Sequence, residues 1–174
     1  MARDAENPAD AGDGTADPAQ AAKLAADALP LKPGVLRRRV GYRTRLMQSV
    51  LADRVVAGFR PYEMKPGSFT TMALMSANPG CSQAELARAG GLDKSAIVAI
   101  LDDLEARGLA VRGRSREDRR RNALFLTGQG EELTVEMATV AHESEQPLRD
   151  ALSPDELDRL LELLDRAYVA LAKG

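Results

Sequence analysis

Apolar residues fall into blocks of different period along this chain. Residues 1–30 are mostly Ala, Asp, Gly and Pro with almost no large apolar side chains. Such a stretch buries too little surface to offset its ordering entropy, so a disordered acidic tail is expected. Pro30 and Pro33 bracket its boundary with a folded part expected over residues 33–174. Between residues 35 and 59 there is no Pro, and Leu36, Val40, Met47, Val50 and Leu51 recur at helical spacing. That pattern predicts a long amphipathic helix ended before Pro61. Pro66 fits the first turn of a second helix through Phe69, Met72, Ala73 and Met75, which stops at Asn78, Pro79 and Gly80. Ser82 and Glu85 have the spacing of a capping box and open a short third helix that closes at Gly90 and Gly91. Asp93 caps a fourth, with Ile97, Ile100, Leu101 and Leu104 on one face and Gly108 as its stop.

The period then changes from 3.6 to 2. Leu109 and Val111 alternate on one strand and Leu124 and Leu126 on a second, with an arginine-rich segment between them, which predicts a hairpin with a basic tip. Thr127 caps a fifth helix through Leu133, Met137, Val140 and Ser144, with Pro147 placed to kink it near its end. Ser153 and Glu156 form another capping box, opening a final helix with Leu157, Leu160, Leu161, Leu164 and Tyr168. The fold class is mainly α with a small β wing. A winged helix-turn-helix is expected at about residues 64–128, and helices at about 35–59 and 128–172 flank it. The flanking helices carry more apolar surface than so small a domain can cover, which predicts a dimer.

Composition narrows the function classes. A chain of 174 residues with 44% hydrophobic and 29% charged residues suits one soluble domain with flanking helices. Aromatics at 3% disfavour modules that stack single-stranded bases on exposed rings. One Cys and one His exclude a clustered Cys/His metal site and an intrachain disulfide. Neither residue has a catalytic motif near it, there is no phosphate-cradling Gly-rich loop, and no enzyme activity or cofactor is expected. The N-terminus lacks the apolar run of a signal peptide and no stretch reaches membrane-span length, so a cytoplasmic protein away from membranes is expected.

The net charge of −2 conceals an uneven distribution. Asp4, Glu6, Asp10, Asp13, Asp17 and Asp27 face only Arg3 and Lys23 in the tail. Between residues 112 and 121, by contrast, six arginines outnumber Glu117 and Asp118. A basic tip beside a capped helix pair is the electrostatic footprint of a nucleic-acid binder. The second helix of such a pair enters the major groove, and the wing reaches the neighbouring minor groove, where arginine suits the concentrated negative potential.

The chain here resembles the MarR family of winged-helix transcription regulators, over roughly residues 35–170. The resemblance rests on residues 78–87 (Asn-Pro-Gly-Cys-Ser-Gln-Ala-Glu-Leu-Ala), on Leu92 to Ser95, and on Leu104 to Leu109. It rests most on Arg116 to Arg120 followed by Leu126, Thr127 and Gly130. It implies an obligate homodimer, joined by first and last helices, on pseudo-palindromic double-stranded DNA. It also implies a repressor released by a small aromatic or phenolic compound, an aromatic acid or its thioester.

The DNA-contact candidates are Ser82, Gln83, Lys94, Ser95, Ala96, Val98, Ala99, Arg114, Arg116, Arg119 and Arg120. With the apolar face of the fourth helix inward, Lys94, Ser95, Ala96, Val98 and Ala99 face the groove. Lys94 and Ser95 suit phosphate near a helix start. Val98 and Ala99 have no hydrogen-bonding tip, so their natural partners are thymine methyls. This departs from family members with Arg or Thr at those positions and shifts weight to the wing and to DNA shape. Arg116 and Arg119 are the minor-groove candidates, and Asp118 suits an ion pair within the tip.

Tyr42, Arg43, Phe69, Met72 and His142 are the effector-site candidates, each with a plainer reading. Phe69, Met72 and Met75 at helical spacing suit a core. Arg43, on the apolar stripe of the first helix, suits either an acid across a dimer interface or an effector carboxylate. His142 suits an ordinary hydrogen bond on the fifth helix. Cys81 precedes a helix start, which can lower a thiol pKa, and a thiol-responsive regulator is the alternative to an inert cysteine. A winged helix used for protein interaction is the remaining alternative, which the wing arginines disfavour.

Overall fold

The computed structural model describes residues 31–114 and 122–173, with Arg114 and Asn122 described by their backbone alone. The expected tail at residues 1–30 and the wing tip with Arg116, Arg119 and Arg120 lie outside the described residues. The chain divides into two compact units between Leu46 and Met47.

In the first unit, Gly34–Arg38 form a 3-10 turn that opens with Gly34 at φ 52. Arg39 then takes an extended conformation, φ −95 and ψ 121, so helix α1 (Val40–Phe59) starts five residues later than the apolar spacing predicts. Pro33 offers no side-chain cap, and an extended residue between turn and helix interrupts propagation.

The second unit holds α1 from Met47 onward and the helices α2 (Ser68–Ala77), α3 (Gln83–Ala89), α4 (Lys94–Ala106), α5 (Gly128–Ser144), α6 (Gln146–Ala151) and α7 (Pro154–Ala172). Strands β1 (Ala110–Arg114) and β2 (Asn122–Leu126) pair antiparallel, from Ala110 opposite Leu126 to Arg114 opposite Asn122. The segment at Cys81 extends the pairing: the Cys81 carbonyl accepts from the Leu124 N–H at 3.0 Å, and the Gly80 N–H donates to the Leu124 carbonyl at 2.8 Å. The core gathers Met72 and Met75 of α2, Leu86 of α3, Leu109, Ala110, Leu124, Met137 of α5 and the apolar face of α4.

Three expectations are corrected. Pro66 stands outside α2, because Gly67 at φ 86 occupies the position before the helix and turns the chain into it. Pro147 does not kink the fifth helix. That helix ends at Ser144, and Pro147 lies in the first turn of the separate α6, where its missing N–H costs nothing. In the wing, Ala110 is buried beside Leu109 while Val111 is 48% exposed, so Leu109 and Val111 do not share a face. Leu109 belongs to the closure of α4. Its N–H bonds to the Leu104 carbonyl and the Gly108 N–H to the Glu105 carbonyl around Gly108 at φ 69, so the strand period starts one residue later.

The C-terminal part of α1 packs on α5. Arg54 Nε donates to the Ser144 carbonyl at 2.8 Å, and Gly58 lies so close that a Cβ would stand 2.6 Å from Val140 Cγ1. Helix α7 opens with the expected capping box at Ser153 and Glu156. It buries no residue fully and leaves Leu161, Leu164, Tyr168 and Leu171 exposed.

Candidate nucleic-acid interface

Local chemistry fixes both helices of the pair. Ser82 Oγ accepts from the Glu85 N–H while Glu85 Oε2 accepts from the Ser82 N–H at 2.8 Å, which closes the expected capping box of α3. Gly91 at φ 62 makes the turn between the helices. Asp93 then caps α4, its Oδ1 accepting from the Ala96 N–H at 2.7 Å and from Ser95 Oγ at 2.6 Å. Those donors, the Ser95 hydroxyl first and the Ala96 N–H next, hold the Asp93 carboxyl below its ordinary value.

Helix α4 divides as its spacing requires. Ile97, Ile100, Leu101 and Leu104 are buried, whereas Lys94, Ser95, Val98 and Ala99 are exposed and Ala96 is half-buried. The Ser95 hydroxyl gives its one proton to Asp93, so in this state it offers only lone pairs outward. Gln83 of α3 and Lys94 of α4 meet on the rim of an open cleft of about 660 Å³. Arg88 stands on the same rim, exposed, and sequence reasoning passed it over. Its signal was its place one turn after Ala84, opposite buried Leu86.

The wing is tied to α4 at its base. Arg112 Nη2 donates to Asp102 Oδ1 at 2.7 Å and its Nε lies 2.9 Å from Glu105 Oε2. The first arginine of the basic run therefore braces the hairpin. Thr127 closes the base of the hairpin, its hydroxyl donating to the Gly108 carbonyl at 2.8 Å and accepting from the Gly130 N–H at 3.1 Å. Arg114 holds the last described pair of β1, and Arg116, Arg119 and Arg120 lie beyond it.

A second recess, of about 500 Å³, lies between the C-terminal part of α1, the segment leading into α2, and α2 itself. Val55, Val56, Phe59, Met64 and Phe69 give it an apolar wall, and its charged lining is Arg60, Glu63 and Lys65, two cations and one carboxylate. Phe59 and Phe69 meet edge to face, ring centres 5.4 Å apart. Of the effector candidates in this unit, Phe69 lines the recess. Met72 is fully buried in the core, and His142 is exposed on α5, where its carbonyl accepts from Arg149. Tyr42 and Arg43 belong to the first unit, where Arg43 Nη2 donates to the Arg37 carbonyl at 3.0 Å.

Cys81 is half-buried, and burial first, then the neighbouring Glu85 charge, push its thiol above the ordinary value. That is the reverse of activation. Among the described residues no group of His, Cys, Asp and Glu is placed to hold a metal ion, and no helix is long and apolar enough to cross a membrane.

Comparison with known proteins matches residues 62–121 to the MarR family. A protein of Thauera aromatica named as a transcriptional regulatory protein for the hcr operon is 36% identical over 103 residues, which cover 59% of this chain and 62% of that relative's length. The chain thus spans less than two thirds of that relative. The solved structure of the transcriptional repressor CouR bound to a 23-mer DNA duplex is 34% identical, with a TM-score of 0.70 over 80% of this chain and 99% of that one. CouR bound to p-coumaroyl-CoA is 32% identical, with a TM-score of 0.67 over 79% of this chain and 97% of that one.

Proposed function

Because the chain belongs to the MarR family, we propose that it is a cytoplasmic, homodimeric transcriptional repressor that binds a pseudo-palindromic operator and is released by a small aromatic ligand. The observation that carries this reading is the split of α4 into a buried apolar face and an exposed face of Lys94, Ser95, Val98 and Ala99, beside a braced two-stranded wing. Lys94, with Gln83 and Arg88 across the cleft, suits phosphate, which fixes register without reading sequence. Val98 and Ala99 suit thymine methyls. The wing arginines Arg116 and Arg119 complete the interface in the minor groove. With relatives that are regulators of transcription, the chain is read as a non-enzyme.

The recess beside Phe59 and Phe69 is the proposed effector site, an apolar chamber in which Arg60 and Lys65 outnumber Glu63 and suit an anion. CouR, seen with p-coumaroyl-CoA, supplies the first ligand class to try. Fluorescence anisotropy of this protein on duplexes it selects from a random pool, against scrambled ones, tests DNA binding. A steep loss of affinity with salt is expected, and equal affinity for both duplexes at every salt concentration would overturn the reading. In a thermal-shift assay, p-coumaroyl-CoA or p-coumaric acid should raise the melting temperature and Phe69→Ala should abolish the rise.

A further inference from the structure

Three rungs join one wall of that recess to α4. The Ala99 carbonyl, the Asp103 side chain one turn on, and Arg107, which closes the helix four positions later, make them. Facing them runs the segment from Tyr62 to Lys65. Lys65 Nζ donates to the Ala99 carbonyl at 2.8 Å and lies 3.6 Å from Asp103 Oδ1. Arg107 lies 4.0 Å from Asp103 Oδ2 and donates to the Glu63 carbonyl at 3.1 Å and the Tyr62 carbonyl at 2.9 Å. Between these rungs Glu63 is held at φ 50, the one non-glycine residue with positive φ among the described residues. A left-handed conformation without glycine persists where its surroundings over-determine it, and here Arg107 supplies that restraint. The other side of the same segment, at Glu63, Met64 and Lys65, lines the recess.

We propose that the segment from Tyr62 to Lys65 is a strap through which the filling of the recess reaches the DNA-reading helix, with Lys65 and Arg107 as its positioning residues. The proposal rests on reading α4 as that helix. The Ala99 carbonyl already belongs to the helix's own ladder, so the Lys65 ammonium is an additional donor that can leave without unwinding α4. Lysine presents a compact charge on a flexible stem and can turn from a neutral carbonyl to an anion. An anionic ligand in the recess competes with the Ala99 carbonyl and the Asp103 carboxylate for that ammonium, and α4 loses its tie at Ala99.

The test needs no identified effector. Lys65→Met keeps the stem and removes the charge at a half-exposed position, so the fold survives. It is expected to speed amide hydrogen exchange in residues 60–67 and in the first half of α4, with exchange in α5 and α7 unchanged. It should weaken binding to the selected duplex about tenfold at an unchanged salt slope, and Lys65→Arg should restore most of the loss. Ala52→Phe, which fills the recess from α1, should weaken DNA binding in the parent and change it less than twofold in the Lys65→Met background. Unaltered exchange, equal effects of Ala52→Phe in both backgrounds, or no effect in the parent would overturn the strap. So would a salt slope shallower by about 1.8, which would make Lys65 a phosphate contact in each half of a dimer. If the parent selects no duplex, the repressor reading fails, while hydrogen exchange still decides whether Lys65 pins α4.

Discussion

At Gly130 a Cβ would stand 2.1 Å from the Leu109 carbonyl oxygen, closer than any neighbour could yield to. The contact is to backbone, so α5 would have to move off the base of the wing. Gly130→Ala is therefore expected to cost about 1–3 kcal/mol, read as a lowered melting temperature by circular dichroism. Asp93 makes a different residue-scale prediction. Its carboxyl titrates below the ordinary value in the folded state, so the ionised cap favours folding. That contribution is fully present above the ordinary aspartate value and is lost as pH falls through the lowered one. Ser95→Ala removes the leading donor. It should move the Asp93 titration up toward the ordinary value in an NMR pH series, and an unmoved titration would show that the backbone N–H groups of residues 95 and 96 hold the charge.

Among the elements, the wing carries the prediction that separates DNA binding from a protein-interaction role. Arg119→Ala removes one arginine from each wing of a dimer. If both touch phosphate, the slope of log K against log salt becomes shallower by about 1.8. Val98→Thr changes only the exposed face of α4 and should alter base preference in a selection experiment while leaving that slope alone. Unchanged affinity and slope after replacing Arg116 and Arg119 together would remove the wing from the interface.

How far the elements could be read from sequence depends on the range of the forces that make them. The caps at Ser82, Asp93, Thr127 and Ser153 involve residues two or three positions apart and were legible. So was the buried face of α4. The phase of β1 was not, because Leu109 satisfies two patterns and the closure of α4 claims it. Nor were the Lys65 and Arg107 ties, which span 34 and about 45 positions and follow no periodicity. Of the effector candidates Phe69 reached the recess, whereas Phe59 and Lys65, which also line it, gave no local signal.

At the scale of the whole molecule, α7 presents an apolar face to water. Leu161 is 52%, Tyr168 68% and Leu171 81% exposed, on a helix whose start is fully capped. A lone chain leaves this face in water, which a second copy would cover. Folding and association are then one equilibrium, and the melting temperature should climb with protein concentration across the micromolar range. A melting temperature independent of concentration, with a monomer by sedimentation, would count against the dimer. For a cell holding few copies of such a regulator, the consequence is a threshold. Halving the number of chains removes more than half of the dimers near the dissociation constant, and the singles left behind carry bare leucines and unfold more readily. Dilution by growth alone could thus open the operator, before any ligand arrives.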